Sequence, residues 1–222
     1  ALIRSIGESD IAFSVYNGDF KDGSSKCADD VYDAAKAMFN SIRQPVVYVP
    51  GDNEWTDCHR LNNGGYDNLE RLDRLRKTMF TGPESFGQSK LKFEQQGTPG
   101  GKLSENTRFV REGIVFVGLN VPGSNNNKVL DEKDCQNKSA RKPVHCENDN
   151  LEYAERDKAN IAWLGEAFAI ARRGNHPGVV LVVQADPGFD LPETEELDER
   201  KAPSVSGYTA FLDAVARETR AF

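Results

Sequence analysis

Apolar residues along this chain follow two periods, and the switches between them mark its elements. Ile11–Asn17 (IAFSVYN) and Val46–Val49 (VVYV) are short apolar runs bounded by turn residues, which predicts buried strands, and Val179–Val183 (VVLVV) reads as the most hydrophobic strand of the chain. Val31, Ala34, Ala35, Met38, Phe39 and Ile42 recur at helical spacing and stop before Pro45, predicting a helix between the first two strands. Strand, helix, strand is a βαβ unit, so those two strands should run parallel with a right-handed crossover. Leu69, Leu72, Leu75 and Met79 stripe a second helix, supported by the acid-before-base pairs Glu70–Arg74 and Asp73–Lys77. Thr107–Arg111 and Ile114–Leu119 read as strands joined by a tight turn at Glu112-Gly113. Ala154, Ile161, Leu164, Phe168 and Ala171 mark a long helix ended by Gly174 and Pro177, and Tyr208, Phe211, Leu212 and Val215 a final one. Ala1–Gly7 reads as the end of a helix stopped by Gly7. Gly82–Lys102 is mixed and rich in turn residues. Gly123–Asn148 is polar and apolar-poor, which predicts a loop insertion, and the acidic run within Pro192–Arg200 predicts a solvent-facing loop. The fold class expected is α/β, as one domain over residues 1–222.

Composition narrows the function classes. A chain of 222 residues can bury roughly 70–75% of its unfolded surface, so it needs no disulfide to make a core. No apolar run approaches the ~20 residues of a membrane span. The net charge is −7 with no basic stripe, which argues against a nucleic-acid groove and against anionic membranes. A phosphate ligand would therefore need a metal ion or a local basic group.

The four cysteines are Cys27, Cys58, Cys135 and Cys146, with no C-x-x-C pair, which disfavours a zinc knuckle. Cys27 and Cys58 each follow an apolar strand by a few residues. If those strands are neighbours so are the loops, which predicts Cys27–Cys58, with Cys135–Cys146 closing a local polar loop. All four are expected in loops. Paired cysteines imply an oxidising compartment, secreted or periplasmic. Asn137-Lys138-Ser139 is a glycosylation sequon that by itself decides nothing.

The chemistry gathers at strand ends. The first strand ends in Asn17-Gly18-Asp19-Phe20-Lys21-Asp22-Gly23, the second in Pro50-Gly51-Asp52-Asn53-Glu54-Trp55, and the VVLVV strand in Gln184-Ala185-Asp186. Ligands of open α/β sheets bind at the carboxyl ends of the strands, and carboxylates with an amide there suit a hard cation. Asp19 could equally cap a turn, and Asp52 could be a cap or a displaced ligand. Glu54 could serve as general acid only with a raised pKa. His59, in the same loop, could supply an imidazole, though an ordinary loop histidine is the simpler reading. Lys21 and Arg60 could meet a phosphate or simply be solvated. His145 and His176 receive no role.

The first two strand ends resemble motifs of the calcineurin-like metallophosphoesterases. Gly18-Asp19-Phe20-Lys21-Asp22 is similar to that family's Gly-Asp-x-x-Asp. Pro50-Gly51-Asp52-Asn53-Glu54 is similar to its Gly-Asn-His-Asp/Glu with one extra acidic residue. The resemblance implies a layered α/β sheet with helices on its faces and two divalent ions, Fe, Zn, Mn or Ca without distinction. It implies hydrolysis of a phosphate mono- or diester by a dimetal-activated water. It makes Asp19 the bridging ligand and Asn53 a ligand, sets Gln184 or Asp186 where the family has a strand-end histidine, gives Asp22 a loop-ordering role and leaves Glu54 or His59 as catalytic candidates. The family's Asp-x-His and Gly-His-x-His occur nowhere here, so the sheet is expected to be cut at both sides, while Glu54 and Gln184 are expected as real divergence. The alternative is a catalytically inactive member of the same fold with a binding or structural role.

Overall fold

The computed structural model describes residues 2–188 and 202–222. Helix α1 (Leu2–Glu8) runs through Gly7 and precedes β1 (Ser14–Asn17), α2 (Asp29–Asn40) and β2 (Val46–Val49). β1 and β2 pair in parallel, Ser14 opposite Val46 and Asn17 opposite Val49, as the βαβ pattern requires. Two 3-10 turns, Thr56–His59 and Leu61–Asn63, lead to α3 (Asn68–Met79). Asp67 caps α3 by accepting the N–H groups of Leu69 and Glu70 at 2.9 and 3.0 Å.

The second sheet orders its strands β3 (Glu94–Gln95), β4 (Thr107–Arg111), β5 (Ile114–Gly118) and β6 (Gly178–Val182). β4 and β5 form the expected antiparallel hairpin, and β6 lies parallel to β5. Between β5 and β6 come α4 (Gly123–Asn126), α5 (Glu132–Cys135) and the long α6 (Pro143–Arg173); a 3-10 turn (Pro203–Tyr208) and α7 (Thr209–Ala221) close the chain.

Alternation along the strands places the two cores. Val46 and Tyr48 of β2 pack with Tyr32, Phe39, Leu72 and Leu75 of α2 and α3. Val115 and Val117 of β5 pack with Leu164, Ala167 and Phe168 of α6 and Phe211 of α7. The other faces of the two sheets meet: Phe13 stands edge-on to Phe109 and Phe116, and a Cβ on Gly118 would lie 2.9 Å from Val49. Each sheet thus carries helices outside and the other sheet inside.

Three expectations are corrected. Of the two strands expected to be buried only β2 is; Val15 of β1 is 39% exposed, and so is Val180 of the apolar β6, at 41%. Val15 and Val180 lie on the faces turned away from the two helical cores, which the opposite sheet covers only in part. Second, 123–148 is not a loop. It holds α4, α5 and the first turns of α6, which starts at Pro143, where proline's fixed φ suits a first helical turn. His145 Nδ1 accepts the N–H of Lys142 there, so this histidine has a capping role. Third, Cys135 and Cys146 lie in helices, not loops. Both disulfides form as expected, Cys27–Cys58 and Cys135–Cys146, and they fit an oxidising compartment. No helix among the described residues is long and apolar enough to cross a membrane. The acidic run Glu193–Glu199 lies outside the described residues.

Candidate functional site

The two glycines at the strand ends exist for a steric reason. Gly18 has φ +72°, and a Cβ on it would lie 2.6 Å from Gly51 Cα; a Cβ on Gly51 would lie 2.3 Å from Asp19 Oδ1. The two loops therefore cross in direct backbone contact, which only glycine allows. Asp19 follows in the left-handed region at φ 60°. That uncommon conformation for a non-glycine residue turns its carboxylate back over the second loop, where Oδ1 accepts the N–H of Asn53 at 3.4 Å.

Glu54 locks this crossing. Its side chain has no exposure. It accepts the Asp19 N–H at 3.1 and 2.9 Å, the Gly51 N–H at 2.9 Å and the Tyr48 hydroxyl at 2.6 Å. Burial pushes its pKa up to about 7, against the opposing pull of the Tyr48 and backbone donors. A carboxyl so enclosed has no surface to offer a substrate; it holds the frame of the site.

The third strand end arrives as expected. Asn17 Nδ2 donates to Val183 O at 2.9 Å, joining β1 to the residue after β6. Gln184 Nε2 then donates to Asp19 Oδ2 at 3.1 Å and to Asp52 Oδ1 at 3.4 Å, while its Oε1 accepts the Gly123 N–H at 2.7 Å. Asp19, Asp52 and Gln184 form one cluster. Burial raises the Asp19 pKa, and the neighbouring Asp52 raises it further. Gln184 is the strand-end residue of the cluster; Asp186 instead accepts the Gly188 N–H at 3.1 Å. Gln184 turns its amide nitrogen to the carboxylates, because Gly123 engages its oxygen, so it acts as a donor to them and not as a ligand atom beside them. Asn53 sends its Nδ2 to Lys21 O at 3.3 Å, which leaves its Oδ1 on the Gly23 side of the loop. Asp22 orders its loop by accepting the N–H groups of Ser24 and Ser25 at 2.8 and 2.9 Å. Lys21 is buried and donates to Asp22 O at 2.8 Å, so it is not a solvated charge.

Asp52 continues outward through a serine. Ser124 Oγ lies 3.1 Å from Asp52 Oδ2 and 2.6 Å from Asp57 Oδ1. Ser124, Asn125, Asn126 and Asn127 all have φ between 51° and 64°, so these four residues wind left-handed. Such a run costs each L-residue roughly 1–2 kcal/mol, least for asparagine. Buried partners hold it: Arg156 Nη1 donates to Asn126 Oδ1 at 2.5 Å and Nη2 to Asn126 O at 2.9 Å, and the Tyr208 hydroxyl accepts the Asn126 N–H at 3.2 Å. The Ser124 contact escaped sequence reasoning. Its one signal is the run Gly123-Ser124-Asn125-Asn126-Asn127, since asparagine tolerates the left-handed region.

His59 stands apart from the carboxylate cluster. It lines a cavity of about 220 Å³ with Asp57, Arg60, Ser124, Lys128 and Arg141. Burial, then the Arg141 and Arg60 charges, push its pKa down to about 3. The ring is neutral at physiological pH and cannot act as an imidazolium acid.

Two adjacent half-buried carboxylates fit a hard cation in kind, since a cation would relieve the repulsion that raises Asp19. Among the described residues no group of three or more His, Cys, Asp and Glu side chains is disposed to hold a metal ion. Any cation here would rest on Asp19 and Asp52 with amide or backbone oxygens. Comparison with protein-family models, curated proteins and solved structures returns no match to any of them.

Proposed function

We propose that the chain carries the central part of a metal-dependent phosphoesterase site, acting on a small phosphate mono- or diester. One observation carries the reading: three strand ends bring Asp19, Asp52 and the Gln184 amide within 3.1–3.4 Å at one point. Asp19 and Asp52 would hold divalent cations, with Asn53 Oδ1 as a further oxygen donor. The cations would supply an activated water and neutralise the phosphoryl oxygens. Gln184 positions the two carboxylates, and Glu54 holds the loop crossing that brings them together. The finer likeness to calcineurin-like metallophosphoesterases belongs to the same proposal and rests on the two loop motifs and their order.

The test is metal content, together with hydrolysis of p-nitrophenyl phosphate and bis(p-nitrophenyl) phosphate in the presence of Mn, Zn or Fe. Asp19→Ala should lose bound metal and at least the ~100-fold in rate typical of losing one strong electrostatic group. An Asp19→Ala protein with unchanged metal and rate would sink the assignment.

The second reading is a noncatalytic protein of the same architecture. The absence of a three-member His/Cys/Asp/Glu cluster among the described residues favours it, as does the full structural engagement of Glu54. Wild-type protein that binds no divalent ion under any of these conditions would decide for it.

A further inference from the structure

We infer that the cavity beside Asp57 is an anion subsite that takes a second phosphate group of the substrate. As a substrate subsite it rests on the phosphoesterase reading; as a phosphate-binding cavity it rests on its own geometry. Ser124 lines it and stands between it and the cluster, its Oγ 2.6 Å from Asp57 Oδ1 and 3.1 Å from Asp52 Oδ2. A ligand lying in the cavity would therefore reach toward the carboxylates.

The chemistry of its walls selects the charge. Three of its four amides are spent inside the protein: Asn68 Nδ2 donates to Asn127 Oδ1 at 3.1 Å, Asn125 Nδ2 to Lys128 O at 2.9 Å and Asn127 Nδ2 to Glu152 at 3.3 Å, which leaves Asn137. Its acids are also engaged. Asp57 pairs with Arg60 at 2.5 Å, and Asp134 accepts the Leu130 N–H at 3.0 Å. Arg141 is held by Asp149 at 2.6 Å and by Cys135 O at 3.2 Å. The donors left over among the described residues belong mainly to cations. Arg60 uses Nη1 and Nη2, leaving Nε; Arg141 uses Nη1 and Nε, leaving Nη2. Lys128 Nζ has only Ser206 O at 3.5 Å and the Tyr153 ring at 5.7 Å. In a protein of net charge −7, three cations with spare N–H groups around one polar cavity are a local exception, and guanidinium and ammonium groups suit phosphate oxygens.

The experiment is calorimetric titration of inorganic phosphate into chelator-treated protein. The metal-free carboxylate cluster repels phosphate, so binding reports the cavity. Saturable binding is expected, with Lys128→Gln and Arg60→Gln each weakening it about tenfold, the effect of one charge-assisted hydrogen bond. Absence of saturable binding, or binding that neither substitution weakens, overturns the subsite. Metal and turnover play no part in this measurement, so a negative result leaves the phosphoesterase reading standing. A protein that binds phosphate here but hydrolyses no ester would sink that reading and keep the cavity.

Discussion

Glu54 accepts the backbone N–H of Asp19 with both carboxylate oxygens, at 3.1 and 2.9 Å. A side chain with no exposed surface thus organises a candidate ligand. Its folded pKa is raised from 4.5 to about 7, so between these values the folded chain keeps a proton that the unfolded chain has lost. The associated stability is full below about pH 4.5 and drains as pH rises through 7, by about 3 kcal/mol at most. Urea denaturation of chelator-treated protein should show stability falling from pH 5 to pH 8. Glu54→Gln should flatten that slope; Asp57 and Asp149, both raised to about 6, leave a residue of it, which His59, lowered from 6.5 to about 3 and so adding stability as pH rises toward 6.5, partly offsets. An identical slope in the variant would refute the account.

Gly51→Ala should damage the site more than the fold. Its Cβ would sit 2.3 Å from Asp19 Oδ1 and 2.8 Å from Asp19 N. Relief requires Asp19 to leave Gln184 and Glu54. Overpacking of this kind destabilises by roughly 1–3 kcal/mol, so the variant should still fold, with divalent-ion affinity in equilibrium dialysis at least as low as that of Asp19→Ala. Wild-type affinity in Gly51→Ala would show that Asp19 does not hold the ion.

What the sequence disclosed and what it hid follow from how local each feature is. β2 is legible because VVYV is apolar on both faces and both are covered, by α2 and α3 on one side and the second sheet on the other. The Cys27–Cys58 pairing is legible because neighbouring parallel strands end in neighbouring loops. The exposure of Val15 and Val180 is not, because strand composition does not say what covers each face. The start of α6 at Pro143 is hidden by a polar first stretch with little apolar period. The role of Gln184 is hidden for another reason. Whether it offers oxygen or nitrogen to the carboxylates depends on Gly123, 61 residues earlier. The Asp52–Ser124–Asp57 link likewise depends on Arg156 and Tyr208 holding a left-handed turn from afar.

Asn126 couples that turn to the core, and its contribution divides into two measurable parts. Asn126→Ala removes the acceptor of Arg156 and the Nδ2 donor to Gly207 O at 3.0 Å, both buried. It also leaves a β-carbon at φ 57° without asparagine's tolerance for that region. A loss of about 2–4 kcal/mol in urea denaturation is expected. Asn126→Gly loses the same hydrogen bonds but carries none of the backbone strain, so it should be more stable than the alanine variant by up to ~1 kcal/mol. A glycine variant below the alanine variant would show that strain is not stored there.

The two disulfides should differ in what they protect. Cys27–Cys58 spans 31 residues and Cys135–Cys146 spans 11. Loop-closure entropy predicts losses of about 4 and about 3 kcal/mol on replacing each pair by alanine. Stability alone separates them weakly, but the site separates them strongly. Cys27–Cys58 ties the loop after β1, which carries Asp19, to the loop after β2, which carries Asp52 and Asn53. Cys135–Cys146 joins α5 to the start of α6. Under conditions where both variants remain folded, the Cys27→Ala/Cys58→Ala protein should lose most of its divalent-ion affinity. The Cys135→Ala/Cys146→Ala protein should keep it. Equal retention in both would mean that the glycine crossing and Glu54 hold the carboxylates together without the covalent tie.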